Sequence, residues 1–393
     1  MNALTLVFAS LCVFAIAYRF YGLFFVREVL GVKPDRATPA VKMADGHDYV
    51  KTNKFVLFGH HFAAIAAAGP LLGPVLAAQF GYMPGALWIL IGCVLAGAVH
   101  DTVVLFASVR HKGQSLAYIA TQEIGKLTGS VASVAVLFIL ILTLAGLSLA
   151  VVNAMFESAW GSFTVFATIP IALLMGVYLH VWRDGEVKGA SVIGVVLLVL
   201  AIFAGRWVSE TPELAKLFHL SKPTIAISIP IYGFFASVLP VWLLLCPRDY
   251  LSTYLKIGTI AMLAIGIFWV RPDLVMPATT QFTAGGGPII PGAVFPFLLI
   301  TIACGAISGF HAIIGSGTTP KMIGSERDIL FVGYGAMLVE GFVAIMALIA
   351  ACVLVPADYF AINTAPAVFE KLGMTTVHLN DLAAQVGEKI QGR

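Results

Sequence analysis

Five side chains in this sequence are chemically active and sit where apolar residues dominate. His60 and His61 lie together in GHHFAAIAAAGPLLGPV (residues 59–75), His100 and Asp101 in GAVHDTVVLFASVR, and His311 in SGFHAIIGSGTTP. An imidazole titrates near neutrality, and a nearby carboxylate stabilises its charged form, so such a pair shielded from water can load and release a proton. Ionisable groups inside a bilayer are costly and mark an ion path or a buried partner. The chemistry read here is proton coupling, with His60, His61, Asp101 and His311 as the candidate groups. A structural His–Asp bond that only locks helices together is the open alternative.

The same stretches carry helix breakers. A proline inside a span frees a backbone carbonyl, and lipid cannot hydrogen-bond it, so broken helices at membrane depth survive only beside protein or a wet cavity. Gly69, Pro70, Gly73 and Pro74 make 54–79 a candidate discontinuous helix whose free amides and carbonyls face a substrate or ion. SIPIYGFFASVLPVWLLLCPRDY is interrupted in the same way by Pro230, Gly233 and Pro240, and Gly233 joins the candidate binding set. In TIACGAISGFHAIIGSGTTP, Ser316, Thr318 and Thr319 add hydroxyls suited to a cation or a carboxylate. Kinked helices packed through their Gly, Ala and Ser residues are the competing reading. Glu340 and Asn153 read as satisfied interhelical bonds.

The elements that must position these groups follow from composition. Of 393 residues 60% are hydrophobic and 11% charged, against roughly 25% charged in a soluble domain. Apolar runs long enough to cross a ~30 Å hydrocarbon core recur along the chain. They predict an all-α, polytopic transmembrane bundle of about ten spans, near 2–25, 54–79, 85–108, 129–153, 162–182, 187–207, 224–246, 251–270, 293–317 and 329–355. Residues 1–360 then form one transmembrane transporter domain. Residues 361–393 form a polar amphipathic tail or the beginning of a truncated loop. The first segment reads as a retained helix rather than a signal peptide.

With an external N-terminus, the inward loops hold fifteen Lys and Arg residues, Lys256 among them, and the outward loops four. That bias predicts a periplasmic N-terminus. Helix periodicity favours Asp101 over His100 as the inward-facing group, because Gly97, Asp101 and Ser108 share one stripe. His60 and His61 point ~100° apart and cannot both face one cavity. The cations are scattered, which excludes a nucleic-acid surface. The five cysteines read as small hydrophobes without metal or disulfide roles. No HExxH, GxSxG or Walker A pattern points to an enzyme, and no cofactor is expected.

The broken segments 54–79 and 224–246 are five spans apart and therefore antiparallel. This predicts two five-helix units of opposite orientation, an inverted-repeat architecture of the amino acid–polyamine–cation type, incomplete in this chain.

Four motifs in order, GHHFAAIAAAGPLLGPVLAAQFGYMPGALWILIG, GAVHDTVVLFASVRHKGQSLAYIA, YGFFASVLPVWLLLCPRDYLSTYLKIG and SGFHAIIGSGTTPKMI, resemble the carbon starvation protein A (CstA) family over nearly the whole chain. The resemblance implies a bacterial inner-membrane secondary transporter for peptides or pyruvate, with proton symport, in the response to nutrient limitation. Family members usually continue past GEKIQGR into further helices, so the chain looks like a fragment or a shortened member. The implied partners are a small solute, a proton and the bilayer, with oligomeric state open. A nutrient sensor or an uncoupled channel-like subunit is the alternative function.

Overall fold

The computed structural model describes residues 1–183 and 186–364. Among these the chain is all α, with two isolated bridges and no strand. The expected polar tail, from residue 365 on, lies outside the described residues. In chain order, α1 (Ala3–Val29) precedes a bent pair, α2 (Lys54–Ile65) and α3 (Gly69–Phe80), and then α4 (Tyr82–Arg110). A short α5 (Leu116–Glu123) leads to α6 (Lys126–Met155), α7 (Ala159–Trp182), α8 (Val187–Glu210), α9 (Lys222–Val238) and α10 (Leu245–Val270). The pieces α11 (Val294–Thr301), α12 (Ala303–Ala306) and α13 (Gly309–Gly315) come next, followed by α14 (Leu330–Val353) and α15 (Pro356–Asn363).

Seven of these helices, α1, α4, α6, α7, α8, α10 and α14, are long and apolar enough to cross a membrane, and the α2–α3 pair makes eight if it is one span. The two remaining sequence-read spans fall short for different reasons. Helix α9 has only 17 residues. Segment 293–317, expected as one helix, is three short helices with extended backbone at Ile307 and Ser308.

The breaks also differ in place from the sequence reading. Helix α2 ends at Ile65, Ala66 leaves helical geometry (ψ 62°), and α3 departs at 45°. Pro70 explains the position, since a proline ring clashes with the carbonyl four residues earlier, here that of Ala66, and offers it no N–H. Pro74 stays inside α3. Pro230, expected to interrupt its span, is carried within continuous α9; the chain breaks at 239–244, where the expected breaker Pro240 lies, and α10 begins at Leu245.

Helix α14 is the centre of the bundle. Of its most apolar window 78% is buried, against 0% for α6, whose apolar side chains face outward. Lipid is as apolar as leucine, so helices associate here through close packing rather than water release. Small residues provide the approach. A Cβ on Gly73 would collide with the Thr301 carbonyl oxygen, and one on Gly97 with that of Ala306, so α3 and α4 clasp the broken 294–315 segment. The Pro- and Gly-rich 271–292 segment is tied down as well. The Gln79 side chain accepts from the Ile289 and Ile290 amides at 3.0 and 3.1 Å and donates to the Ile290 carbonyl at 2.7 Å.

Candidate functional site

Four helices place a connected group of ionisable side chains at the heart of the bundle. Helix α4 contributes His100 and Asp101 just beyond a π-helical turn, Cys93–Gly97, a distortion that recurs at functional sites. Helix α12 contributes Cys304, α13 contributes His311, and α14 contributes Glu340. Asp101, His311 and Glu340 are each at most 1% exposed.

The Asp101 carboxylate accepts from two imidazoles, Oδ1 from His100 Nδ1 and Oδ2 from His311 Nδ1, both at 2.9 Å. Binding Nδ1–H in this way fixes the His311 tautomer and turns Nε2 the other way. There Nε2 meets Glu340 Oε2 at 3.4 Å and Cys304 Sγ at 3.9 Å, and the thiol lies 3.5 Å from Glu340 Oε1. Glu340 Oε2 has no hydrogen-bond partner. A buried carboxylate oxygen without a donor is unstable as an anion unless a proton or a cation joins it. The His311 ring can hold a proton at Nε2 and share it with Glu340, while Asp101 steadies the charge on the opposite nitrogen.

The structure divides the expected proton-coupling groups into separate pairs. Asp101 and His311 are in direct contact, and Asp101 is the buried member of the His100–Asp101 pair, His100 being 30% exposed. His60 and His61 are both buried but turn to different partners. His60 Nδ1 is 2.9 Å from Asp249 Oδ2 on α10, and His61 Nδ1 is 2.9 Å from the Thr319 hydroxyl. His61 Nε2 has no hydrogen-bond partner.

The expected binding residues divide into three groups. Gly69 and Gly73 pack against Cys304 and Thr301 without space for a ligand, and Pro70 and Pro74 are buried beside them. Thr319 holds His61; Ser316 donates to the Ala312 carbonyl at 2.7 Å and accepts from the Leu116 amide, and Thr318 is half-buried next to them. Gly233 stands apart, exposed on α9 with open space around its Cα. Helix α9 packs on α6 rather than against the α2–α3 break, so Gly233 is not brought to the other candidates.

Sequence reasoning missed one cation. Lys256, counted there among loop residues, sits within α10, and its ammonium donates to the Ala63 carbonyl at 2.8 Å. Ala63 is in the last turn of α2, where carbonyls lack helical partners. Beside it a cavity of about 240 Å³ opens, lined by Phe62, Ala66, Ala67, Leu71 and Thr259 together with Lys256. The break in α2–α3 therefore borders a small apolar cavity with one positive charge in its wall. A lone lysine inside an apolar helix is the sequence signal for it, masked when Lys256, near the start of the expected 251–270 span, is counted with the loop cations. Cys304 and Glu340 were likewise assigned bland roles, as a small hydrophobe and an interhelical bond, and instead share one cluster.

Comparison with known proteins adds the context. The chain matches the carbon starvation protein CstA family over residues 2–391. It is 56% identical over its whole length to the peptide transporter CstA of Bacillus subtilis, covering 65% of that protein. It is 59% identical over 93% of its length to the peptide transporter CstA of Campylobacter jejuni, covering 52% of it. The pyruvate/proton symporter BtsT of Escherichia coli is 53% identical over 98% of the chain, with 53% of that protein covered. The chain thus spans about half to two-thirds of the length of these relatives. No solved structure matches it. On the strength of a match that runs almost from end to end, the chain belongs to the carbon starvation protein CstA family.

Proposed function

We propose that this chain forms the substrate- and proton-handling core of a secondary importer for small carboxylate-bearing nutrients, pyruvate or peptides, driven by proton symport. The observation that carries the proposal is the buried Asp101–His311–Glu340 relay next to two broken helical segments. A proton on His311 Nε2 neutralises Glu340 in one state and leaves it bare in another. The two states differ in how strongly they hold α13 to α14, which is the differential interaction that any coupled conformational change requires.

Lys256 supplies the anion site. In the empty cavity its ammonium caps the Ala63 carbonyl; a substrate carboxylate entering beside Ala66 and Ala67 offers a stronger, charge-assisted partner. The amino end of α3 adds its dipole to the same attraction. Pro70 sets the break. Ser316, Thr318 and Thr319 form the hydroxyl layer through which His61 senses α13. His60, with Asp249, is a second coupling candidate on the α2–α10 seam.

The wider reading places the chain in a bacterial inner membrane with its N-terminus on the periplasmic side, serving nutrient uptake under carbon starvation. It retains ten crossings in an inverted-repeat arrangement, with the α2–α3 bend and the 239–244 interruption as counterparts. The names of the relatives, one a proton symporter, support the substrate class and the coupling ion.

Reconstitution in proteoliposomes tests the proposal. Labelled pyruvate or labelled dipeptide accumulates only when an inward proton gradient is imposed. Equilibration of either solute without accumulation, unchanged by the gradient, identifies an uncoupled channel and removes the symport reading.

A further inference from the structure

The His311–Glu340–Cys304 end of the cluster has the chemistry of a metal site. We propose that Cys304, His311 and Glu340 bind a zinc-class divalent cation, in a site that ties both halves of the broken 294–315 segment to α14. One ligand atom from each of the three residues lies within 4.8 Å of the others. A tetrahedral zinc ion held about 2.0–2.3 Å from nitrogen, oxygen and sulfur sets donor–donor edges of about 3.3–3.6 Å. Here the Glu340 carboxylate meets His311 Nε2 through Oε2 at 3.4 Å and Cys304 Sγ through Oε1 at 3.5 Å, and Sγ stands 3.9 Å from Nε2. Closing on one ion therefore takes a shift of a few tenths of an ångström in the thiol and a carboxylate that turns toward it.

Two independent features point to a ligand rather than to packing. Glu340 is fully buried, yet its Oε2 has no hydrogen-bond partner and faces the imidazole, 3.4 Å from His311 Nε2. On the far side, the Asp101 carboxylate accepts from His311 Nδ1 at 2.9 Å. That carboxylate–histidine arrangement fixes the tautomer and directs the Nε2 lone pair at a metal in zinc proteins. The donor set, one thiolate, one imidazole and one carboxylate, suits zinc or cobalt and not magnesium or calcium, which favour all-oxygen shells. On coordination the thiol proton leaves to solvent. Cys304 alone of the three is partly exposed, so the ion enters from its side.

Cys304 and His311 flank the extended residues Ile307 and Ser308. A bound ion therefore bridges the break and pins it to α14. Binding stands independently of the transport proposal; the arrest of turnover that such pinning implies rests on it.

Purified protein in detergent, titrated with cobalt and then zinc, tests the site. The wild-type chain binds one equivalent of cobalt with a near-ultraviolet thiolate-to-cobalt absorption band, which zinc abolishes by displacement. Zinc also raises the thermal midpoint. Cys304→Ser, a single-atom change, removes the band and weakens zinc binding at least ~10-fold. Glu340→Gln weakens it by a similar factor, and His47→Ala, at an exposed histidine remote in sequence, leaves it unchanged. Absence of the band in wild-type protein, or zinc binding of undiminished affinity in Cys304→Ser, overturns the proposal. If arrest of uptake by zinc fails while the band is present, the site stands and the transport consequence falls.

Discussion

Two buried glutamates in this chain occupy opposite situations. Glu326, 1% exposed, is saturated: Arg110 approaches it through Nε at 3.0 Å and Nη2 at 3.1 Å, the Lys33 amide donates at 2.9 Å, and Arg36 stands 4.0 Å away. Glu340, equally buried, faces an imidazole and a thiol, with no Lys or Arg in ion-pair contact among the described residues, and one of its oxygens goes without a hydrogen bond. A guanidinium fork is charged at every physiological pH and fixes its partner in one state. An imidazole has two states near neutrality. The first arrangement joins the 26–53 segment to the end of α4 and holds it there; the second can change charge without unfolding. Burial and residue type do not separate a lock from a switch, but the identity of the counter-ion does.

The largest expected effect falls on the switch. Asp101→Asn leaves His311 without its carboxylate, and gradient-driven accumulation is abolished. Membrane insertion and gradient-free exchange of labelled substrate persist. Undiminished accumulation in this variant removes Asp101 from coupling. Lys256→Met comes next. Loss of one charge-assisted hydrogen bond of about 1.5–3 kcal/mol raises the half-saturating substrate concentration roughly 10- to 150-fold, with the proton requirement unchanged. An unaltered saturation curve shows that the carboxylate binds elsewhere.

Glu326→Gln probes the lock. Removing one member of a buried pair costs about 3–5 kcal/mol; because Arg110 is 22% exposed, about 1–3 kcal/mol is expected after allowance for solvent screening. The thermal midpoint in detergent drops accordingly, while substrate-to-proton coupling per folded molecule is retained. A loss of coupling without a loss of stability would erase the distinction between the two glutamates.

The smallest effect lies at a surface pair. The Ala107 carbonyl and then the Glu123 carboxylate hold His111 above the usual imidazole range. A raised folded value stabilises fully below the unfolded pKa of about 6.5 and fades as pH rises through the folded value. Glu123→Gln therefore lowers the thermal midpoint slightly near pH 6 and leaves it unchanged once His111 is neutral in the wild type. A difference that grows with pH contradicts this sign.

Much of the site was legible because lipid makes polarity conspicuous. Asp101 and His311 stand out in apolar runs as candidate coupling groups, although their contact with one another is a tertiary one. Gly69-Pro70 announced a break, although Pro70 acts on the carbonyl of Ala66, one turn earlier than the dipeptide itself. What stayed hidden has physical causes. Cys304 is as apolar as its alanine neighbours, and nothing in one sequence says that a thiol faces Glu340. Lys256 counts with the loop cations because it lies only five residues past the start of the expected 251–270 span; α10 starts at Leu245 and runs through the polar CPRDY stretch, which sets the lysine deeper in the helix. The interruption at Ile307 and Ser308 carries no proline; it stands beside a tertiary contact, the Ala306 carbonyl packed against Gly97. Pro230 misled in the other direction, because a transmembrane helix with suitable neighbours accommodates a proline.

The most direct test of the switch is the proton that travels with the substrate. In lightly buffered proteoliposomes, adding substrate outside should raise the external pH as protons enter with it, in wild type and in Glu326→Gln but not in Asp101→Asn. Substrate uptake by wild-type protein with no external alkalinisation, or equal alkalinisation by Asp101→Asn, would contradict the account.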